Sequence, residues 1–587
     1  MQIKRISMTL VALVAGLSLP LLAQQKDKKA AAAKEPEKPS YELPQPERET
    51  LNYQAYEQIR TEALLHSHIM EYASGLMDGI GPRLTGSENV KRANEWTRDQ
   101  LAAMGCVNAH LEDWGEFGMA WQQENTWVRM TSPDKAVFIA QAAPWSPATK
   151  GAVSGGAVWI DVKEEKDFDK YKGKLAGKIV LWGDMRDVKP VEKPLFSRYD
   201  DEGLKKLEEF PIRVQPQNQF NPQAFQRRAE LRDKLGKFLA AEGAAAVLVP
   251  SRDGADSGGS GGTIFDDNGS ALSRRPYEKD TPNPVPLAVV AIESYGRVYR
   301  LLKANVPVTL ETNIDTRFGG EHEHGFDTIA EIPGTDPKLK DEVVMVGGHL
   351  DSWIAGTGAT DNGAGTIVAM EVMRVLTALH VQPRRTIRIG LWTGEEQGLL
   401  GSYGYVDQHF GHIPRSTEPD QMRLPERQRR PSGPIEVKPE QSKLSAYFNV
   451  DNGSGKIRGV YQQGNAAVGP IFAQWMAPLK DVGVTTLTLQ NTGGTDHLSF
   501  DAVGIPGFQF IQDDLDYETR THHSNMDTYE RLQANDLAQI AFVEAIFVYN
   551  TAMRDQMLPR KPMPRPDLDR ESREPLKNVM PGAEQRP

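Results

Sequence analysis

A single cysteine, Cys106, in 587 residues excludes an intrachain disulfide and a thiolate zinc cage. Any metal held by this chain must therefore be ligated by histidine and carboxylate. Long apolar runs are also missing beyond the N-terminus, and with a mean hydropathy of −0.50 this excludes a polytopic membrane protein. Basic charge is in deficit: 68 Lys and Arg stand against 79 Asp and Glu, and the net charge of −11 argues against a general nucleic-acid binder. What is present suffices for folding, since 39% of residues are hydrophobic. The length exceeds what one core needs, so two or more domains are expected. Cys106 has no histidine beside it in sequence and reads as a small buried side chain rather than a nucleophile.

Lys4 and Arg5 precede an apolar stretch from Ile6 to Ala23, broken by Gly16 and Pro20, which is the pattern of an export signal over residues 1–23. An uncleaved membrane anchor is the alternative, because the stretch is near the minimum spanning length. Cleavage would remove Lys4 and Arg5 and no acid, taking the net charge from −11 to −13, and the protein would be secreted or periplasmic. Without disulfides, stability there must come from the size of the core. Residues 24–48, rich in Lys, Glu, Ala and Pro, read as a disordered linker, and 555–587 as a disordered tail.

Between these ends short β-rich runs alternate with helical ones, which favours an α/β fold over a sandwich or a bundle. Val90, Ala93, Thr97, Leu101 and Met104 recur at helical spacing after the turn Gly86-Ser87 and predict a helix over Asn89–Met104. From Met130 to Asp315 the texture changes. Strands are expected at Ala136–Ala140, Ala157–Val162, Lys178–Trp182, Ala245–Pro250 and Leu287–Ile292, around a polar helix Pro222–Glu242 and the Gly/Ser loop Gly254–Gly262. This region reads as an inserted domain. EVVMVGG at 342–348, a helix from Gly363 to Leu379, TIRIGLWT at 386–393 and SAYFNV at 445–450 then form a parallel α/β unit. The Pro- and Arg-rich stretch Ile413–Lys443 reads as a solvated surface loop, its seven basic residues offset by five acids.

The three strands run into His349-Leu350-Asp351, Gly394-Glu395-Glu396 and Asp451, and open α/β sheets build their sites outside the carboxyl ends of strands. Asp361, just before the helix that follows the first strand, can reach the same edge. Singly each of these residues is most simply a turn former or a cap. Together, acids at one sheet edge repel strongly in a low dielectric unless a cation sits among them, and no Lys or Arg accompanies them in these motifs. A bound metal is the natural neutraliser; with thiolate excluded, zinc, manganese or cobalt would suit. A second histidine comes from the polar loop Thr521-His522-His523-Ser524-Asn525-Met526-Asp527-Thr528, ahead of an apolar helix Leu532–Tyr549. Spacing alone does not choose between His522 and His523.

His349-x-Asp351, Asp361-Asn362-Gly363, Gly394-Glu395-Glu396, Asp451 and His523-Ser-x-x-Asp527-Thr, in that order, resemble the co-catalytic zinc exopeptidases of family M28. Gly81-Pro82-Arg83-Leu84-Thr85-Gly86-Ser87 and the helix after it resemble the start of that domain. The insert, 129–317, resembles a protease-associated domain placed as in the carboxypeptidase Q-like branch. The resemblance implies a phosphorylase/hydrolase-like three-layer α/β/α zinc-peptidase domain, formed from 49–128 and 318–554. It implies two zinc ions, with His349 and Asp451 on one, Glu396 and His523 on the other, and Asp361 bridging. Asp351 would fix the tautomer of His349, and Glu395 would be the general base acting on a bridging water. His497, in the turn Gly493 to Phe500, resembles a family loop near the substrate and could donate to a tetrahedral intermediate, with a structural turn histidine as the equal alternative. The function implied is a secreted exopeptidase of peptides or dipeptides, of the aminopeptidase or dipeptidase type. A carboxypeptidase of the same fold, a glutaminyl-cyclase-like acyltransferase with one zinc, and an inactive receptor-like homologue are the alternatives. The complete set of acids argues against the last. The resemblance also allows a homodimer.

Overall fold

The computed structural model describes residues 47–209, 222–267 and 271–568, apart from 274, 280, 282, 423 and 425. The expected signal over 1–23, nearly all of the linker and the end of the tail lie outside these residues.

One eight-stranded sheet has the order Val107–Gly118, Glu323–Ile332, Thr386–Trp392, Val343–His349, Leu444–Asn449, Gly507–Gln512, Ile457–Tyr461, Thr486–Thr488. Its centre is parallel. Val343–His349 pairs with Thr386–Trp392 on one side and with Leu444–Asn449 on the other, and the latter pairs with Gly507–Gln512. Strands covered on both faces need apolar side chains in both directions, which explains their nearly unbroken hydrophobic runs. Val344 and Val346 enter one core while Met345 between them enters the other. The first core is shared with helices Ala364–Ala378 and Ala534–Met553, and the second with helices Leu400–His409 and His497–Asp501. A mixed α/β architecture therefore places the expected site residues at one end of three adjacent parallel strands.

A second eight-stranded sheet lies within 121–318, with Trp121–Ser132 and Thr309–Phe318 paired antiparallel at its base and the parallel run Val153–Ile160, Ile179–Trp182, Ala246–Pro250, Leu287–Val290 beyond them. It has one core of its own and shares a second with Leu84, Phe117, Trp353 and Ile354 of the flanking chain. The chain changes sheets between Gly118 and Trp121, earlier than the texture change read at 129. Trp121–Ser132 escapes a hydrophobicity reading because its centre is polar, and Thr309–Phe318 because its buried side alternates Leu310 and Ile314 with Thr312 and Thr316. The chain beyond Asp555 is also not a free tail at once. Leu558 is buried, Arg560 donates to the carbonyls of Gln441 and Leu444, and Lys561 pairs with Asp501, so one apolar side chain and two cations dock this stretch against the start of a central strand. Cys106 is buried, which pushes its thiol up to about 11. Among the described residues no helix is long and apolar enough to cross a membrane.

Helix Ala534–Met553 carries one costly residue. Glu544 is fully buried, and neither carboxyl oxygen has a hydrogen-bond partner among the described residues. Burial raises its pKa well above the ordinary carboxyl range, so the folded protein keeps it protonated. In the unfolded chain the same group ionises at about 4.3, so its contribution to stability declines as pH rises from there toward the folded-state value. Glu544→Gln is expected to stabilise the fold by about 1 to 3 kcal/mol at pH 7 and to flatten the fall in stability between pH 5 and 7.5. Urea unfolding midpoints at the two pH values check this, and an unchanged slope would show that Glu544 is not the group responsible.

Candidate metal centre

His349 is the last residue of its strand, level with Trp392 on the neighbouring strand, so Glu395, Glu396 and Asp451 all leave the sheet just beyond this line. Asp361 comes to the same place from the turn ahead of helix Ala364–Ala378. Its Oδ1 lies 3.3 Å from Nε2 of His349 and its Oδ2 3.1 Å from Nε2 of His523. His349 Nε2 is also 3.4 Å from Asp451 Oδ1 and 3.9 Å from Glu395 Oε2, while His523 Nε2 is 3.0 Å from Glu396 Oε2. Two imidazole–carboxylate pairs thus flank one shared carboxylate.

His522 stands 3.7 Å from Asp361 Oδ2, but its ring stacks on Tyr517 and its Nδ1 faces Glu518 at 4.0 Å. It is the more exposed of the two, with 33% of its side chain accessible against 19% for His523, and only His523 also meets Glu396. Asp361 Oδ2, Asp451 Oδ1 and Glu396 Oε1 are buried and accept no hydrogen bond among the described residues. Orphaned buried acceptors are costly, and three at the centre of a thiol-free imidazole and carboxylate set fit a divalent cation of the zinc type.

The electrostatics agree. Burial alone would hold His349 neutral, yet Asp451 and Glu395 outweigh it and raise its pKa well above the usual value. Burial also opposes ionisation of Asp361, and the imidazoles of His349 and His523 beside it overcome that and hold the carboxyl well below the normal range. Glu395 has no such donor: burial, then the charges of Asp496 and Asp451, push it well up against the pull of His349. Glu396 is raised to about 7 by burial and by Asp361. A field that protonates an imidazole in this way also draws metal cations.

Asp351 departs from its expected geometry. His349 Nδ1 lies 3.1 Å from the backbone carbonyl of Asp351 and 3.5 Å from its carboxylate, so the carbonyl is the closer acceptor. The carboxylate accepts instead from Thr85 Oγ1 at 2.8 Å and from the Glu395 amide at 3.3 Å. His497 does not line the cavity of about 480 Å³ over the centre. It is buried against the Gln463 amide, and burial lowers its pKa to about 4.

Three contributors were not read from the sequence. Arg83, fully buried, donates to the carbonyls of Leu350, Thr357 and Gly358 at 2.7 Å each and to Gly81 at 3.1 Å. Burial lowers its pKa to about 10, and Asp527, Asp351, Asp361 and Glu396 resist that loss of charge, so a cation does stand behind the acids. Asp527 accepts from the Thr360 amide at 2.6 Å, the Thr360 hydroxyl at 2.7 Å and the Asp361 amide at 3.1 Å, which fixes the backbone of the shared carboxylate. Asp267 comes from the second-sheet region, its carboxylate 3.8 Å from His523 Nδ1, on a segment held by the bridge Phe265↔Ser524 and by Ile264 N donating to Asn525 Oδ1 at 2.7 Å. Arg83 and Asp527 fall within Gly81–Ser87 and His523–Thr528, where the local sequence does not mark their partners.

Residues 327–548 match the model of peptidase family M28. Carboxypeptidase Q of Rattus norvegicus is 24% identical over 485 residues, 83% of this chain and 85% of that protein. Leucine aminopeptidase 2 of Arthroderma otae is 42% identical over 112 residues, 19% of this chain and 21% of that protein. Among solved structures, a peptidase M28 precursor from Shewanella amazonensis aligns with a TM-score of 0.58 at 23% identity, covering 87% of this chain and 98% of that one.

Arg83→Met would remove four carbonyl contacts and the permanent charge behind the acids. It is expected to lower folding stability by about 3 to 5 kcal/mol, with added zinc recovering part of the loss. Arg83→Lys, which keeps the charge but not the planar fork, should fall between the two. Thermal unfolding with and without zinc measures this, and a wild-type midpoint for Arg83→Met would refute the role.

Proposed function

We propose that this chain, which carries a peptidase M28 domain over residues 327–548, works as a two-zinc exopeptidase of peptides or dipeptides. The observation that carries the reading is Asp361, whose two oxygens face two different histidines at 3.3 and 3.1 Å. His349 and Asp451 would hold one ion, His523 and Glu396 the other, and Asp361 both. Bound zinc would supply Lewis acidity, which lowers the pKa of a water and polarises a scissile carbonyl.

Glu395 is the general base in this scheme. It takes a proton from the attacking water and returns it to the leaving amine, and its buried, acid-crowded setting suits it to carry that proton between the two transfers. Asp351 acts on both sides, its carbonyl orienting His349 and its carboxylate tethering the Glu395 backbone. Asp267 plays the matching part for His523. The paired half-sites favour this reading over a one-zinc acyltransferase, and the presence of Glu395 favours it over an inactive homologue.

The same proposal extends to architecture and location. A three-layer α/β/α peptidase domain would be interrupted by a protease-associated insert over 121–318 that walls the cleft and restricts long substrates. The signal-like 1–23 supports a secreted or periplasmic enzyme, and a homodimer rests on the family resemblance alone.

Glu395→Gln should keep two zinc ions per chain while turnover falls by about 10²- to 10⁴-fold. Full zinc content with near-normal turnover would remove Glu395 as the base. Asp361→Ala should instead lose metal, seen as sub-stoichiometric zinc by elemental analysis after dialysis. Chelation with verified removal of metal should abolish hydrolysis of amino-acid arylamides and dipeptides, and re-addition should restore it; activity that survives complete removal defeats the zinc mechanism.

A further inference from the structure

The turn after Glu395 and Glu396 leads into a second cavity, of about 670 Å³, and Gly398 lines both this cavity and the one over the candidate metal centre. Trp114, Phe117, Tyr277 and Tyr403 supply aromatic wall, and two arginines enter from the loop Ile413–Lys443. Arg427 lies with its guanidinium carbon 4.0 Å over the Tyr403 ring and donates to the Gly398 carbonyl at 2.6 Å, which places it at the boundary of the two spaces. Arg415 donates to the Tyr403 hydroxyl at 3.1 Å and to the Arg429 carbonyl at 3.2 Å. Nε of each arginine is buried with no hydrogen-bond partner among the described residues, as are both amide atoms of Gln397, which lines the same cavity.

The acids around this space do not answer those cations. Glu116 is paired with His322, Glu278 with Arg275 and Asp407 with His412, while Glu426 is exposed. Among the described residues no carboxylate comes within the 4.0 Å of an ion pair to Arg415 or Arg427. Burial brings Arg427 only to about 10, so it remains a cation at neutral pH. Arg415 and Arg427 are half-buried on one cavity wall with no carboxylate partner, and an anionic ligand would relieve their mutual repulsion and reach the two unmet Nε donors.

We propose that this cavity binds a carboxylate of the peptide substrate, with Arg427 as the principal contact and Arg415 and Gln397 beside it. The inference rests on the peptidase reading, which places the scissile bond at Glu395. The chemistry is satisfied by a C-terminal α-carboxylate or by an Asp or Glu side chain. A free α-carboxylate requirement would make the enzyme a dipeptidase or carboxypeptidase in practice.

The test uses three ligands: leucyl-glycine, leucyl-glycinamide, and leucyl-glutamic acid α-amide. If the α-carboxylate is the group bound, the zinc-loaded enzyme has a KM at least about tenfold lower for the first than for the second. If a side-chain carboxylate is bound, the third is favoured. Arg427→Met should abolish either preference by raising KM for the acid, with little change in kcat and no change for leucyl-glycinamide, and Arg427→Lys should recover part of it. Calorimetric titration of the Glu395→Gln protein with the same ligands reads binding without turnover. Wild-type protein that hydrolyses none of the three, while Glu395→Gln still prefers a carboxylate, would sink the peptidase reading and keep the anion site. Equal affinity for acid and amide, or a carboxylate preference that survives in folded Arg427→Met and Arg415→Met alike, overturns the proposal.

Discussion

Acids crowded at a buried sheet edge cannot all remain ionised unless cations stand among them, and this constraint shapes the centre of the molecule. Asp361 is held ionised by contact with two imidazoles, whereas Glu395, which has no comparable donor, is pushed toward its protonated form. Arg83 answers the same need from behind. Because its guanidinium is spent on the carbonyls of Leu350, Thr357 and Gly358, the residue that tempers the charge also sets the path of the chain between His349 and Asp361. Asp527 completes that path by tying down Thr360 and Asp361. Charge compensation and loop geometry are here the work of the same side chains.

The parallel centre of the main sheet was legible because strands covered on both faces must be almost wholly apolar, and the change to His, Asp and Glu at their ends is then abrupt. The α/β class and the convergence of His349, Glu396 and Asp451 on one edge follow from that pattern, the helix near Glu88–Ala103 from helical spacing, and the shared place of Asp361 and the choice of His523 over His522 only from the family resemblance. Less visible was anything depending on backbone acceptors. The Arg83 guanidinium donates to four backbone carbonyls, so no spacing of residue types announces it. Asp351 shows the same limit: the i, i+2 spacing suggests a carboxylate on the imidazole, but the nearer acceptor is its carbonyl. Polar strands such as Trp121–Ser132 hide for a different reason, since a strand with one exposed face and buried threonines in its partner carries little apolar contrast.

The second sheet is more than an attachment. Trp353, four residues beyond His349, meets Trp145 of the insert edge to face at 6.4 Å and His523 at 5.9 Å. The chain around Ile264 to Asp267 meets the His523 loop through backbone pairing and places a carboxylate by its imidazole. One half of the centre, Asp451 and His349, is therefore fixed by the main sheet alone, whereas the half containing His523 depends on both. Loosening the insert should affect the two halves unequally, a coupling that a simple wall would not produce.

The loop Ile413–Lys443 shows why charge counted along a segment differs from charge compensated in space. Seven bases against five acids read as a balanced, solvated stretch. In the fold three of the acids are committed elsewhere: Glu418 and Asp420 both face Arg430, and Glu440 faces His409. Arg415 and Arg427 lie over Tyr403, and Glu426, although it lines the same cavity, forms no ion pair with either of them. Local excess is thus created by geometry from a nearly neutral composition. It arises beside Gly398, the turn shared with the proposed base, where a substrate anion would meet it while its peptide bond lay against Glu395.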